Sequence, residues 1–114
     1  MLIGELAERT GVSRRALRYY EEQGLLVPER TVNGYRTYSD DAPVIVDRIQ
    51  GLYASGMDSD DIRRFLPCAR GRAPRLEMCD ELHARLMRRA AELEDQAETI
   101  RRQRTAVLGH LGIR

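Results

Sequence analysis

Lysine is absent from this chain of 114 residues: all 19 basic side chains are arginine. Histidine and cysteine are scarce, with two of each. With so few histidines, no glycine-rich phosphate loop and no supported arrangement of serine, histidine and aspartate, no enzymatic activity is expected. Two cysteines fall short of the four that an iron–sulfur cluster takes. No run approaches the ~20 apolar residues of a membrane span. The start, Met1-Leu2-Ile3-Gly4-Glu5, lacks the basic region and long apolar stretch of a signal peptide. The expected compartment is the cytoplasm, where the two cysteines are expected to be reduced rather than bridged. Charge of one sign is also missing in bulk. The net charge is +1, with twelve arginines against eleven acids before Leu76 and seven against seven from there on. Affinity for nucleic acid therefore has to come from local clustering.

The densest basic spot is Arg14, Arg15 and Arg18, and the pattern around it predicts a fold. Ile3, Leu6, Ala7 and Val12 fall near helical spacing and suggest a short first helix ending around Arg9. Gly11 supplies the backbone freedom for a tight turn. Ser13 is a good N-cap for a second helix from Arg14 to Gln23, with Gly24 as its stop. Two short helices joined by such a turn form a helix-turn-helix. Leu17 and Tyr20 would face inward, and Arg14, Arg15, Arg18 and Tyr19 outward. Thr31 to Tyr38 follows, with Asn33-Gly34 between residues that favour strands. This is a strong hairpin signal, read here as a wing that presents Arg36 beside Tyr35 and Tyr38.

Ser39, Asp40 and Asp41 offer caps for a third helix with Pro43 in its first turn. Its apolar face is expected at Val44, Ile45, Ile49, Leu52 and Tyr53, and Gly56 ends it. A fourth helix, capped by Asp58 or Ser59, turns Ile62, Phe65 and Leu66 inward and stops at Pro67. Cys68 to Arg75, with its Gly, Pro and arginines, reads as a linker. From Leu76 to about Leu108 neither Pro nor Gly occurs, and a helix of roughly 31 residues would reach ~46 Å. Residues spaced alternately three and four apart form a seam: Leu76, Cys79, His83, Leu86, Ala90, Leu93, Ala97, Ile100, Arg104, Val107 and Leu111. That is a heptad pattern with charged flanks. One such stripe cannot bury itself on a lone helix, so a coiled-coil homodimer is predicted. The expected architecture is mainly α: a winged helix-turn-helix domain over residues 1–67, a linker over 68–75, a long dimerising coiled-coil helix over 76–108 and a tail over 109–114.

Several of these segments, taken together, resemble the MerR family of bacterial transcription regulators. They are Ile3-Gly4-Glu5-Leu6-Ala7, Thr10-Gly11-Val12-Ser13, Ala16-Leu17-Arg18-Tyr19-Tyr20-Glu21, Gly24-Leu25-Leu26 and Asn33-Gly34-Tyr35-Arg36-Thr37-Tyr38. The pieces match in order and spacing through about Leu66, and the long helix matches in position. The resemblance implies a homodimer with antiparallel long helices that binds a palindromic operator within a promoter. It also implies that the dimer distorts the DNA so that RNA polymerase engages it. An architectural or excisionase-like DNA-bending protein is the alternative from another class, which the long heptad helix disfavours.

Arginine can hold guanine O6 and N7 together, so Arg14, Arg15 and Arg18 would enter the major groove. By similarity Arg15 and Arg18 are the base readers, whereas Arg14 and Tyr19 are assigned to backbone contact or packing. Tyr20 is shared between backbone contact and core. Arg36 suits phosphate and minor-groove contact, which positions without specifying. Tyr38 is divided evenly between DNA contact and hairpin packing. Tyr35, counted with the DNA-contacting set, is expected to pack against the helix-turn-helix body. Metal-sensing members place a cysteine at the start of the dimerising helix and complete the site with cysteines after it. Cys79 fits the first requirement, and no cysteine follows it. The leading reading is that Cys79 and His83 are seam residues and Cys68 a small packing residue, with no metal and no cofactor. The alternatives are a small metal or thiol sensor. Cys68, Cys79, His83 and His110 of the partner subunit would suit zinc or another thiophilic metal, or Cys68 and Cys79 would form a redox disulfide. The effector and the operator sequence stay open.

Overall fold

A computed structural model describes every residue from Met1 to Arg114. The chain divides into two units, Met1–Leu82 and His83–Arg114.

The first unit opens with helix α1 (Ile3–Thr10) and helix α2 (Arg14–Glu22). Gly11 between them sits at φ 70° and its N–H reaches the carbonyl of Ala7. The Ser13 hydroxyl accepts the amide of Ala16 at 3.1 Å, closing the first turn of α2 as its N-cap. Strands β1 (Glu29–Arg30) and β2 (Arg36–Thr37) pair antiparallel, Glu29 opposite Thr37 and Arg30 opposite Arg36, with Asn33-Gly34 at the tip. Helix α3 (Ala42–Ala54) takes Pro43 in its first turn, and helix α4 (Ser59–Phe65) is capped by the Asp58 carboxylate, which accepts the Asp61 amide at 2.8 Å. The core gathers Leu6, Leu17, Val46, Ile49, Leu52, Ile62 and Leu82, all fully buried. Tyr20 stacks on Tyr53 with ring centres 5.8 Å apart. On α3 the buried row is Ala42, Val46, Ile49 and Leu52, while Val44, Ile45 and Tyr53 are only half-buried. Leu66 is half-buried too.

The stretch expected to be a linker is a second hairpin. After a 3-10 turn (Leu66–Cys68), β3 (Ala69–Arg72) pairs with β4 (Arg75–Met78) through a two-residue turn, Ala73-Pro74. It is fastened to α3 by two hydrogen bonds of 2.8 Å each: Arg48 Nε donates to the Gly71 carbonyl, and the Ala73 amide donates to the Asp47 carboxylate. Leu76 and Met78 alternate with exposed Arg75 and Glu77. This period of two is what a half-buried strand requires. The hairpin lies so near α3 that a Cβ added at Gly51 would stand 2.8 Å from the Ala73 Cβ. Gly51→Ala is therefore expected to destabilise the unit by about 1–2 kcal/mol. The overpacking penalty outweighs the helix-propensity gain of alanine, and a denaturant titration would read the loss as a lower midpoint.

Helix α5 consequently starts at Asp80, not Leu76, and runs to His110, beyond the expected end at Leu108. Asp80 and Glu81 occupy its first turn, where the positive end of the helix dipole favours acids. The expected seam loses its ends: Leu76 belongs to β4, Cys79 precedes the helix, and Leu111 follows its last residue, His110. Leu82 is the residue that turns into the core instead.

In the second unit, Leu86, Ala90, Leu93, Ala97, Ile100 and Val107 follow one another along one face of α5 at heptad spacing. Leu93, Ile100 and Val107 are exposed, with Ile100 showing 63% of its surface. Ion pairs such as Glu98 with Arg101 at 2.8 Å and with Arg102 at 3.3 Å dress the helix beside this stripe. No helix of the chain is long and apolar enough to cross a membrane.

Candidate nucleic-acid interface

Helix α2 has two chemically opposite sides. Leu17 and Tyr20 are buried, and Arg14, Arg15, Arg18 and Tyr19 are exposed. Arg15, Arg18, Tyr19 and Glu22 line a shallow depression on the outer side. Arg14 differs from its neighbours because its guanidinium lies across α1 at Gly4, where an added Cβ would meet Nη2 at 2.7 Å. The Tyr19 hydroxyl is 3.5 Å from Ser59 Oγ at the start of α4, and Tyr53 reaches the same oxygen at 2.5 Å. The far end of α2 is held by Arg63, whose Nε donates to the Gln23 carbonyl at 2.7 Å. That contact was invisible in the sequence, since it joins residues forty positions apart.

The wing stands beside α2, and Glu21 connects them. Its carboxylate accepts Arg36 Nη1 at 3.0 Å through one oxygen and the Tyr38 hydroxyl through the other. Arg36 remains 48% exposed while Glu21 keeps 10%. Tyr38, divided in expectation between DNA contact and packing, is core: it is 3% exposed and its hydroxyl is spent on Glu21. Burial, then the hydrogen bond to Glu21 and that carboxylate's charge, push the Tyr38 phenol up to about 12, so it remains a proton donor. Burial likewise raises the Tyr20 phenol, partly offset by a hydrogen bond to Gln50. Tyr35 departs from expectation in the other direction. It does not pack on the helix-turn-helix body but stands 67% exposed near the wing tip. Arg30, opposite Arg36 in the ladder, adds a second wing arginine that the sequence reading missed. A cross-strand partner was readable only once the register was known.

The cysteines are not the free thiols of the leading reading: Cys68 and Cys79 form a disulfide, the pairing held as an alternative. Their place at the base of the β3–β4 hairpin, a structure not foreseen, explains the pairing. No group of three or more His, Cys, Asp or Glu gathers as a metal would require. His83 and His110 lie exposed on α5.

The sequence profile described as MerR HTH family regulatory protein matches residues 1–68. The chain belongs to the MerR family. It is 36% identical over 102 residues to the HTH-type transcriptional regulator HmrR of Rhizobium leguminosarum bv. viciae, covering 87% of this chain and 66% of that protein. It is 32% identical over 112 residues to the heavy metal-dependent transcription regulator 2 of Rhizobium meliloti, covering 97% and 74%. These MerR relatives are transcription regulators, not enzymes. Among solved structures the fold matches the N-terminal part of MtaN, the multidrug transporter activator of Bacillus subtilis. That match has a TM-score of 0.76 at 24% identity and covers 97% of each chain. HiNmlR, a MerR family regulator lacking the sensor domain and bound to promoter DNA, matches with a TM-score of 0.53 at 24% identity, over 97% of this chain and 81% of that one.

Proposed function

We propose that this MerR-family chain regulates transcription in the cytoplasm by binding a palindromic promoter operator as a homodimer and distorting it so that RNA polymerase engages the promoter. The observation that carries the reading is α2, whose exposed side is made of Arg14, Arg15, Arg18 and Tyr19 and which is braced to an arginine-bearing wing through Glu21. Arg15 and Arg18 read base edges in the major groove. Arg14, lying over Gly4, and Tyr19, leaning on Ser59, serve the sugar-phosphate backbone. Arg36, Arg30 and the exposed ring of Tyr35 meet the DNA beside it and position without specifying. The apolar stripe of α5 pairs with a second copy in antiparallel sense, and this reading of DNA binding needs no cofactor. A two-fold dimer reads two half-sites at a separation that its own geometry sets. Distorting the DNA costs of order 1–6 kcal/mol, offset by added contacts.

Selection of bound duplexes from a random pool by the purified protein, at stated salt, tests this. The expected product is a palindrome with fixed half-site spacing. Recovery of no consensus, with binding that vanishes as salt rises, would leave only charge-driven affinity and defeat the reading.

A further inference from the structure

In the β3–β4 hairpin Ala69 pairs with Met78. One step further out on each strand stand Cys68 and Cys79, so antiparallel register alone sets the two cysteines face to face. Their Cα atoms are 5.7 Å apart, inside the range of about 4.4–6.8 Å that a disulfide spans. The site is open to small reagents. Cys79 is exposed, and a cavity of about 380 Å³ lined by Pro67, Arg70, Glu77 and Met78 opens beside the sulfurs.

The chain is anchored on both sides of the pair. Before it, Phe65 is buried; after it, Leu82 is fully buried and Glu81 pairs with Arg64 of α4. The hairpin's far end is fastened to α3 by Arg48 and Asp47. The cysteines thus add a covalent tie between two anchored segments at the root of α5. With the bridge made, Cys68 and Cys79 are held together; with it broken, only the Ala69–Met78 pairing and the flanking anchors hold the two strand ends together.

We propose that Cys68 and Cys79 are a reversible thiol–disulfide couple that stiffens the root of α5 when oxidised, with a small disulfide of the glutathione type as the oxidant. One cysteine, as thiolate, attacks a sulfur of the small disulfide and one small thiol leaves. The other cysteine attacks the resulting mixed disulfide and the second small thiol leaves. Two cysteine thiols are oxidised, one small disulfide is reduced, and the two protons end on the released thiols. A consequence, resting on the function proposed above, is that affinity for operator DNA follows the state of the pair.

The full-length protein is equilibrated in mixtures of reduced and oxidised glutathione, quenched with acid, alkylated and weighed. A passage from two alkylated cysteines to none within single chains is expected. Amides of residues 66–82 should exchange roughly tenfold more slowly in the oxidised form. On the selected duplex the oxidised protein should bind about tenfold more tightly. The double variant Cys68→Ser with Cys79→Ser should bind like the reduced parent whatever the glutathione mixture. Two alkylatable thiols throughout, bridges formed only between chains, or equal amide exchange in both states would overturn the couple. A bridge that forms without changing DNA affinity would overturn its control of binding. Failure of both states to bind any duplex would instead strike the proposed function, and thiol counting with amide exchange would still decide the couple.

Discussion

A double replacement, Leu93→Asp with Ile100→Asp, is expected to make the protein monomeric and to lower its affinity for a two-half-site duplex by roughly 10²-fold or more. Both side chains lie exposed on the apolar stripe of α5, one heptad apart. An aliphatic side chain that becomes fully buried contributes about 1.5–3 kcal/mol. A carboxylate in its place costs energy to desolvate in an apolar seam. Loss of the dimer proposed above would also remove the second DNA-reading unit from the vicinity of its half-site, and most of the affinity loss is expected from there. Sedimentation would report the mass, and a titration at fixed salt would report the affinity. The first unit should stay folded, since neither residue belongs to its core, whereas far-ultraviolet circular dichroism should fall as the unpaired α5 frays. A variant that stays dimeric would place the self-association surface elsewhere.

Arg18→Ala is expected to cost about 1–3 kcal/mol on the selected operator and to relax preference at one base position per half-site. The side chain projects from the exposed side of α2, one turn from Arg14 and next to Tyr19 in the same depression as Arg15. Its loss removes a fork of donors suited to guanine and leaves the helix intact, because alanine is a strong helix former. Arg36→Ala should behave differently. It should weaken binding about equally on all sequences and flatten the dependence on salt, as a contact with phosphate would. Titrations of the parent and the two variants against the operator and a scrambled duplex, each at several salt concentrations, separate the two behaviours. If both variants bound like the parent, neither α2 nor the wing would be the contacting surface.

The helix-turn-helix and the wing were legible because their signals are local. Ser13 caps, Gly11 turns and Asn33-Gly34 reverses the chain, each within a few residues of the element it shapes. The hairpin between α4 and α5 was not. Ala-Arg-Gly-Arg has almost no apolar side chains to show a period, and Leu76 and Met78 were open to being counted into the helical seam that follows. What makes strands there is contact with α3, through Asp47, Arg48 and the bare Cα of Gly51. None of these is near in sequence. The disulfide was half legible: from the sequence it was one alternative to free thiols, and only the hairpin register, which sets the two cysteines opposite each other, decides for it. In the candidate interface, the arginines of α2 were readable from spacing. Glu21 was not, because one of two adjacent acids at a helix end, Glu21 and Glu22, looks like any solvated charge.

That glutamate changes what DNA binding would cost. Arg36 and Tyr38 are both tied to Glu21 in the unbound protein, so wing and helix arrive aligned and little freedom is left to lose on docking. If Arg36 meets a phosphate as proposed, it does so by changing partner, and the Glu21 carboxylate it leaves takes up cations, so fewer ions are released on balance than by an unattached arginine.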